Sequence, residues 1–159
     1  MNRADLVTRL GTHLSQAGLA RVHPDTTDPE ARAALAVLAG LPSSEHVWAS
    51  AVHIVTVVSG ERLPGVELAR RAQLLCQRAR TLSARARGKV QVLQLAVYER
   101  PVPQPERSFV LDKAKVAPFF GRGCVATWIY SLSEQKLYAS KLRGLPEELG
   151  AEQLSALLS

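Results

Sequence analysis

HVWASAVHIVTVV (residues 46–58), GVELARRAQLLCQRARTLSARARG (65–88) and VQVLQLAVY (90–98) follow one another with short joints, and their order decides the fold. The first and third runs are rich in β-branched residues and almost continuously apolar, which fits strands covered on both faces. The middle run is bracketed by Pro64-Gly65 and Gly88 with no Pro or Gly between, so it reads as one long helix. Leu68, Ala72, Leu75, Ala79, Leu82 and Ala86 recur at steps of four and three, the spacing of a single apolar stripe against a core. Strand, helix and strand in that order predict parallel strands joined by a right-handed crossover.

Outward from this unit, Asn2 with Asp5 marks the start of a helix over 3–17 whose apolar face is Leu6, Leu10, Leu14 and Ala17. Asp28 as cap and Pro29 at the first helical position start a second helix, closed by Gly40 and Pro42, with Ala34, Leu35 and Leu38 inward. Pro101, Pro103 and Pro105 predict a stiff extended connector, and residues 109–111 a short edge strand. Residues 124–132 alternate as a strand, 133–135 turn the chain, and 136–139 return as the second arm of an antiparallel hairpin. A last helix spans 146–158. The expected fold is a single α/β domain over residues 1–159: a mixed sheet, a βαβ unit with a C-terminal antiparallel hairpin, and helices on both faces. Trp128 and Tyr130 alternate beside the hairpin edge, a pairing template that predicts a homodimer unless the C-terminal helix covers that face.

The chain has 159 residues, 47% hydrophobic and 21% charged, which places it among ordinary globular domains and away from disordered or coiled-coil sequences. No apolar run approaches the roughly 18 residues of a membrane span, and the first 18 residues lack the apolar centre of a signal peptide, so a cytoplasmic protein is expected. Cys76 and Cys124 have neither the number nor the spacing of a disulfide framework or a zinc site and read as packed, reduced thiols. No cofactor or metal motif is present; Gly121-Arg122-Gly123 precedes a strand and is a turn.

The formal net charge is +6, and its distribution is uneven. Between residues 62 and 89 stand seven arginines and one lysine against Glu67 alone, a net +7, so the rest of the chain sums to −1. On a helical projection Arg71, Arg78 and Arg85 border one side of the apolar stripe, Arg80 and Arg87 the other, and Gln73 and Gln77 lie near the opposite pole. Two readings follow. In one, Arg70, Arg71, Arg78, Arg80, Arg85, Arg87 and Lys89 track nucleic-acid phosphates, because arginine forks match phosphate oxygens. In the other, their stems shield Leu75 and Leu82 while their heads meet water or carboxylates such as Asp28, Glu30 and Glu99.

Two arrangements could carry catalysis. His53 and Cys124 could meet across the sheet, but nothing local lowers the thiol pKa, and His53 in an apolar strand reads as a hydrogen-bonded core residue. Asp112 followed by Glu134-Gln135-Lys136 has the order used by Mg²⁺-dependent nucleases of the restriction-endonuclease type, in which two carboxylates hold the ion and a lysine steadies the attacking water. Glu134 falls in the expected hairpin turn, which would aim it away from Asp112. The sequence therefore favours a non-catalytic binding or regulatory domain with a protein or nucleic-acid partner. The nuclease using Asp112, Glu134 and Lys136 is the alternative.

Residues 44–105 also carry a pattern: an acid and a tryptophan opening a strand (Glu45-His46-Val47-Trp48), an apolar strand (52–58), and a long charged helix (67–87). A strand entered from a basic residue (Lys89-Val90-Gln91-Val92-Leu93) and a proline pair (Pro101, Pro103) complete it. This resembles the soluble cytosolic domain that precedes the membrane spans of some rhomboid intramembrane proteases. The family tends to place acids at the helix start and after the prolines, where this chain has Ala69-Arg70-Arg71 and Gln104-Pro105. The resemblance implies a stand-alone relative of a regulatory, ligand-sensing domain with a nuclease-like core that has lost catalysis, and no protease activity.

Overall fold

The computed structural model describes residues 1–41, 44–85, 90–111, 125–139 and 151–158. In chain order the elements are α1 (Arg3–Gln16), β1 (Ala20–Arg21), α2 (Pro29–Leu38), β2 (Ser44–Ala49), β3 (His53–Ser59), α3 (Gly65–Arg85), β4 (Gln91–Tyr98), α4 (Gln104–Leu111), β5 (Val125–Ser131), β6 (Lys136–Ala139) and α5 (Ala151–Leu158). The described strands form one open sheet in the order β1-β2-β3-β4-β5-β6. β3, β4 and β5 are parallel, and β1, β2 and β6 run antiparallel to their neighbours, which gives the mixed α/β sheet expected.

The helix starts follow from local chemistry. Asn2 and Asp5 form a reciprocal capping box on α1, and the Asp28 side chain accepts from the Ala31 N–H with Pro29 in the first turn of α2. Such caps contribute about 1 kcal/mol each. Gly18 and Gly40 leave α1 and α2 at φ +87° and +72°, backbone that side chains disfavour.

Three expectations are corrected. Residues 46–58 are two antiparallel strands: the chain reverses at Ala51-Val52, where the Ser50 N–H donates to the His53 carbonyl (2.9 Å) and the His53 N–H to Ser50 Oγ (3.2 Å). Residues 109–111 belong to α4, and Pro105 stands in its first turn, where a missing N–H costs nothing. Trp128 and Tyr130 are buried, sharing a core with Leu6, Leu10 and Leu14 of α1 and Leu158 of α5, so the aromatic edge that motivated a homodimer is covered. The start of the last helix at 146–150 lies outside the described residues.

Alternation along the strands builds the layers. One face of the sheet carries Val55, Val57, Leu93, Leu95, Val97, Ala126, Trp128 and Tyr130 against α1 and α5. The other carries two apolar clusters. Ile54, Val92 and Val125 pack under α2 and α3, and Val58, Ala96 and Ile129 pack with Leu63, Leu68 and Val102. Between these clusters the same face holds a row of polar residues, Thr56 opposite Gln94 and Gln94 opposite Thr127, all buried. Among the described residues no helix is long and apolar enough to cross a membrane.

Candidate functional site: the cationic helix and an edge pocket

α3 buries Leu68, Ala72, Leu75 and Ala79 as its spacing requires. The arginines between them divide. Arg71 is only 2% exposed and lies over the polar row. Its guanidinium donates to Gln94 Oε1 (2.6 Å), Ser44 Oγ (2.6 Å) and Thr56 Oγ1 (3.5 Å), and Gln94 Nε2 passes the network on to the Leu68 carbonyl (3.2 Å) and Thr127 Oγ1 (3.1 Å). Burial lowers its pKa to about 10, still well above neutral, so it remains a cation. Arg78 donates to the carbonyls of Val37 (3.0 Å) and Ala39, the free acceptors at the end of α2. Two of the three carboxylates expected to receive these heads have other partners: Asp28 caps α2, and Glu99 faces Arg3 at 3.9 Å.

The solvent pole of α3 is Arg70, Gln73, Gln77 and Arg80, all exposed. The Arg70 side chain is 67% exposed and meets Glu67 at 3.6 Å, a contact water screens almost fully. Arg70 and Arg80 are about 15 Å apart along the axis at 1.5 Å per residue. The Arg85 side chain and residues Arg87 and Lys89 lie outside the described residues.

Of the nuclease trio, Asp112 lies outside the described residues. Glu134 sits in the β5–β6 turn, and its carboxylate is held from three sides: Arg107 (2.8 Å) on Oε1, and the Val102 N–H and the Tyr138 hydroxyl (both 3.2 Å) on Oε2. Burial pushes its pKa up, but these bonds, the Arg107 charge and Ser131 outweigh that and leave it below the usual range. Lys136 places its ammonium over the Tyr138 ring at 5.1 Å. Glu134 thus fastens the turn to α4 and the segment before it. His53 is buried as expected, and Cys124 lies outside the described residues.

Sequence reasoning missed a concavity. β1 has two residues and β2 has six, so β1 leaves part of the β2 edge uncovered; α2 overhangs it, and a cavity of about 410 Å³ opens there. Its lining includes Arg21, His23 and His46 together with Leu35, Leu38 and Leu41. Arg21 rests over the Trp48 ring (5.6 Å) and its Nη2 lies 2.6 Å from His46 Nδ1. An arginine can only donate, so Nδ1 accepts and the imidazole carries its proton on Nε2. Glu45, also in the lining, is ion-paired with Arg3.

Burial, then the Arg21 charge, lowers the His46 pKa below 6.5 despite Glu45. A lowered base protonates first in the unfolded chain, so His46 contributes stability that is present above 6.5 and lost as pH falls through its folded value. An NMR titration is expected to place the His46 midpoint below 6.5, and Arg21→Met to raise it. An unchanged midpoint in the variant contradicts the pairing.

Among the described residues no group of three His, Cys, Asp or Glu side chains is placed to hold a metal ion. No family model, no curated protein and no solved structure matches this chain.

Proposed function

We propose that the chain is a non-catalytic binding module that meets a polyanionic partner, a nucleic acid, along the solvent pole of α3. The observation that carries this reading is the division of the arginines. Arg71 and Arg78 are engaged inside the fold, while Arg70 and Arg80 stand free of the core on a face whose intervening residues, Gln73 and Gln77, are neutral donors and acceptors. A phosphate backbone running along the helix would meet two guanidinium forks and two amides, with Glu67 as the one acid that α3 itself carries. The arrangement lacks exposed aromatic platforms on α3 and so favours backbone contact over base recognition. A regulatory role is also what the resemblance of residues 44–105 to the rhomboid cytosolic domain implies.

The competing nuclease has little support from Glu134, whose charge is matched by Arg107. Incubation with single- and double-stranded DNA and RNA in Mg²⁺ or Mn²⁺ is expected to give retention on a native gel without cleavage. Metal-dependent cleavage that disappears in Asp112→Ala and Glu134→Ala proteins would replace the binding reading with the enzyme. The binding unit is the monomer, since Trp128 and Tyr130 are in the core and the edge strand β6 begins with exposed Lys136. Sedimentation is expected to return one constant mass across concentrations.

A further inference from the structure

The geometry points to a second binding site, in the pocket between α2 and the part of the β2 edge that β1 does not pair, for a small molecule that carries one carboxylate on an apolar body. The cavity, about 410 Å³, is of the size that holds small organic ligands. Its chemistry is two-sided. Leu35, Leu38 and Leu41 supply an apolar wall on one side. On the other, Arg21 and His46 form a joined donor pair, because Arg21 spends only one N–H on His46 Nδ1 and His46 keeps Nε2–H free to donate. Trp48 lies beneath the guanidinium (5.6 Å) and His46 holds one of its nitrogens, so the remaining fork is already placed to meet a carboxylate. Glu45 does not oppose an incoming anion strongly, since Arg3 matches its charge. A neutral ligand would leave the exposed Arg21 fork to water and gain nothing from it, and a multiply charged one would leave the leucine wall against polar atoms.

This site lies apart from the solvent pole of α3, so it stands or falls separately from the polyanion reading. Octanoate, with 1-octanol as the neutral control, is the probe, followed by calorimetry and by amide chemical shifts. Octanoate is expected to bind at millimolar concentrations or below with shifts at residues 21–23 and 44–47, and 1-octanol to bind at least roughly tenfold more weakly. Arg21→Met keeps the apolar stem over Trp48 and is expected to weaken octanoate roughly tenfold while leaving 1-octanol and the melting temperature unchanged. Equal binding of acid and alcohol, shifts elsewhere than at these residues, or full octanoate affinity in the Arg21→Met protein would each overturn the proposal. So would the absence of any binding at millimolar octanoate. If Arg21→Met lowers the melting temperature, Arg21→Lys, which keeps the charge but loses the fork, is expected to retain the fold and still bind octanoate more weakly.

Discussion

Replacing Arg71 with alanine is expected to destabilise the protein on the order of 3–4 kcal/mol, the largest effect of any single arginine in the chain. The substitution removes a buried side chain that α3 and the sheet close around, and it strands Gln94 Oε1 in the core while leaving the Ser44 and Thr56 hydroxyls only each other (3.0 Å). For a chain of this length the loss corresponds to a fall of roughly 6–16 °C in Tm. Arg71→Met fills more of the space and should cost less. Adding Gln94→Leu to Arg71→Met removes a stranded acceptor together with its donor, so the double variant should be more stable than the two single losses added together. Thermal denaturation of the parent, Arg71→Ala, Arg71→Met, Gln94→Leu and the double variant checks this. Additive losses, or an Arg71→Ala protein that melts like the parent, would show that the network does not hold α3 to the sheet.

The second large effect is on binding. Reversing Arg70 and Arg80 together to glutamate should lower affinity for a generic duplex roughly tenfold or more and reduce the steepness of its salt dependence by about 2, one for each phosphate contact removed. Stability should hardly move, because both side chains are exposed and the Arg70–Glu67 contact contributes at most about 1 kcal/mol. Lysine at both positions keeps the charge and should restore most of the affinity. The Arg71 and Arg70/Arg80 variants therefore cross: one loses stability and the other its partner. Measuring melting temperature and duplex affinity on the same samples reads both. A reversal variant that melts early, or that binds duplex as the parent does, contradicts the division of the helix into an inward and an outward set.

Periodicity and punctuation made most of the architecture legible. The βαβ unit, the caps at Asn2 and Asp28, and the C-terminal hairpin all follow from spacing within a few residues. What escaped depended on partners distant in sequence. The reversal at Ala51-Val52 has neither Gly nor Pro; it is held by Ser50, whose backbone and side chain both bond to His53, so an apolar run concealed a hairpin. Covering of Trp128 and Tyr130 comes from the expected C-terminal helix, through Leu158, and also from α1, more than a hundred residues earlier, which the sequence did not point to. The burial of Arg71 did leave a trace. Thr56, Gln94 and Thr127 each stand as a polar residue between apolar neighbours in the middle of a buried strand, and a polar side chain at that position needs a partner in the layer above. Arg71 is the residue on α3 that supplies it. The pocket had no comparable signal, because it arises from the shortness of β1 and the overhang of α2, which only the assembled sheet displays.

The most direct test of the account is the affinity of the parent protein for a generic duplex as salt rises from about 50 to about 200 mM. Log K should fall linearly with log salt, with a slope of about −1.8 if Arg70 and Arg80 alone neutralise phosphates and about −4.5 if Arg85, Arg87 and Lys89 join them, and base sequence should hardly alter it. No measurable affinity at the lowest salt, or binding that salt does not weaken, would contradict a phosphate-binding face on α3.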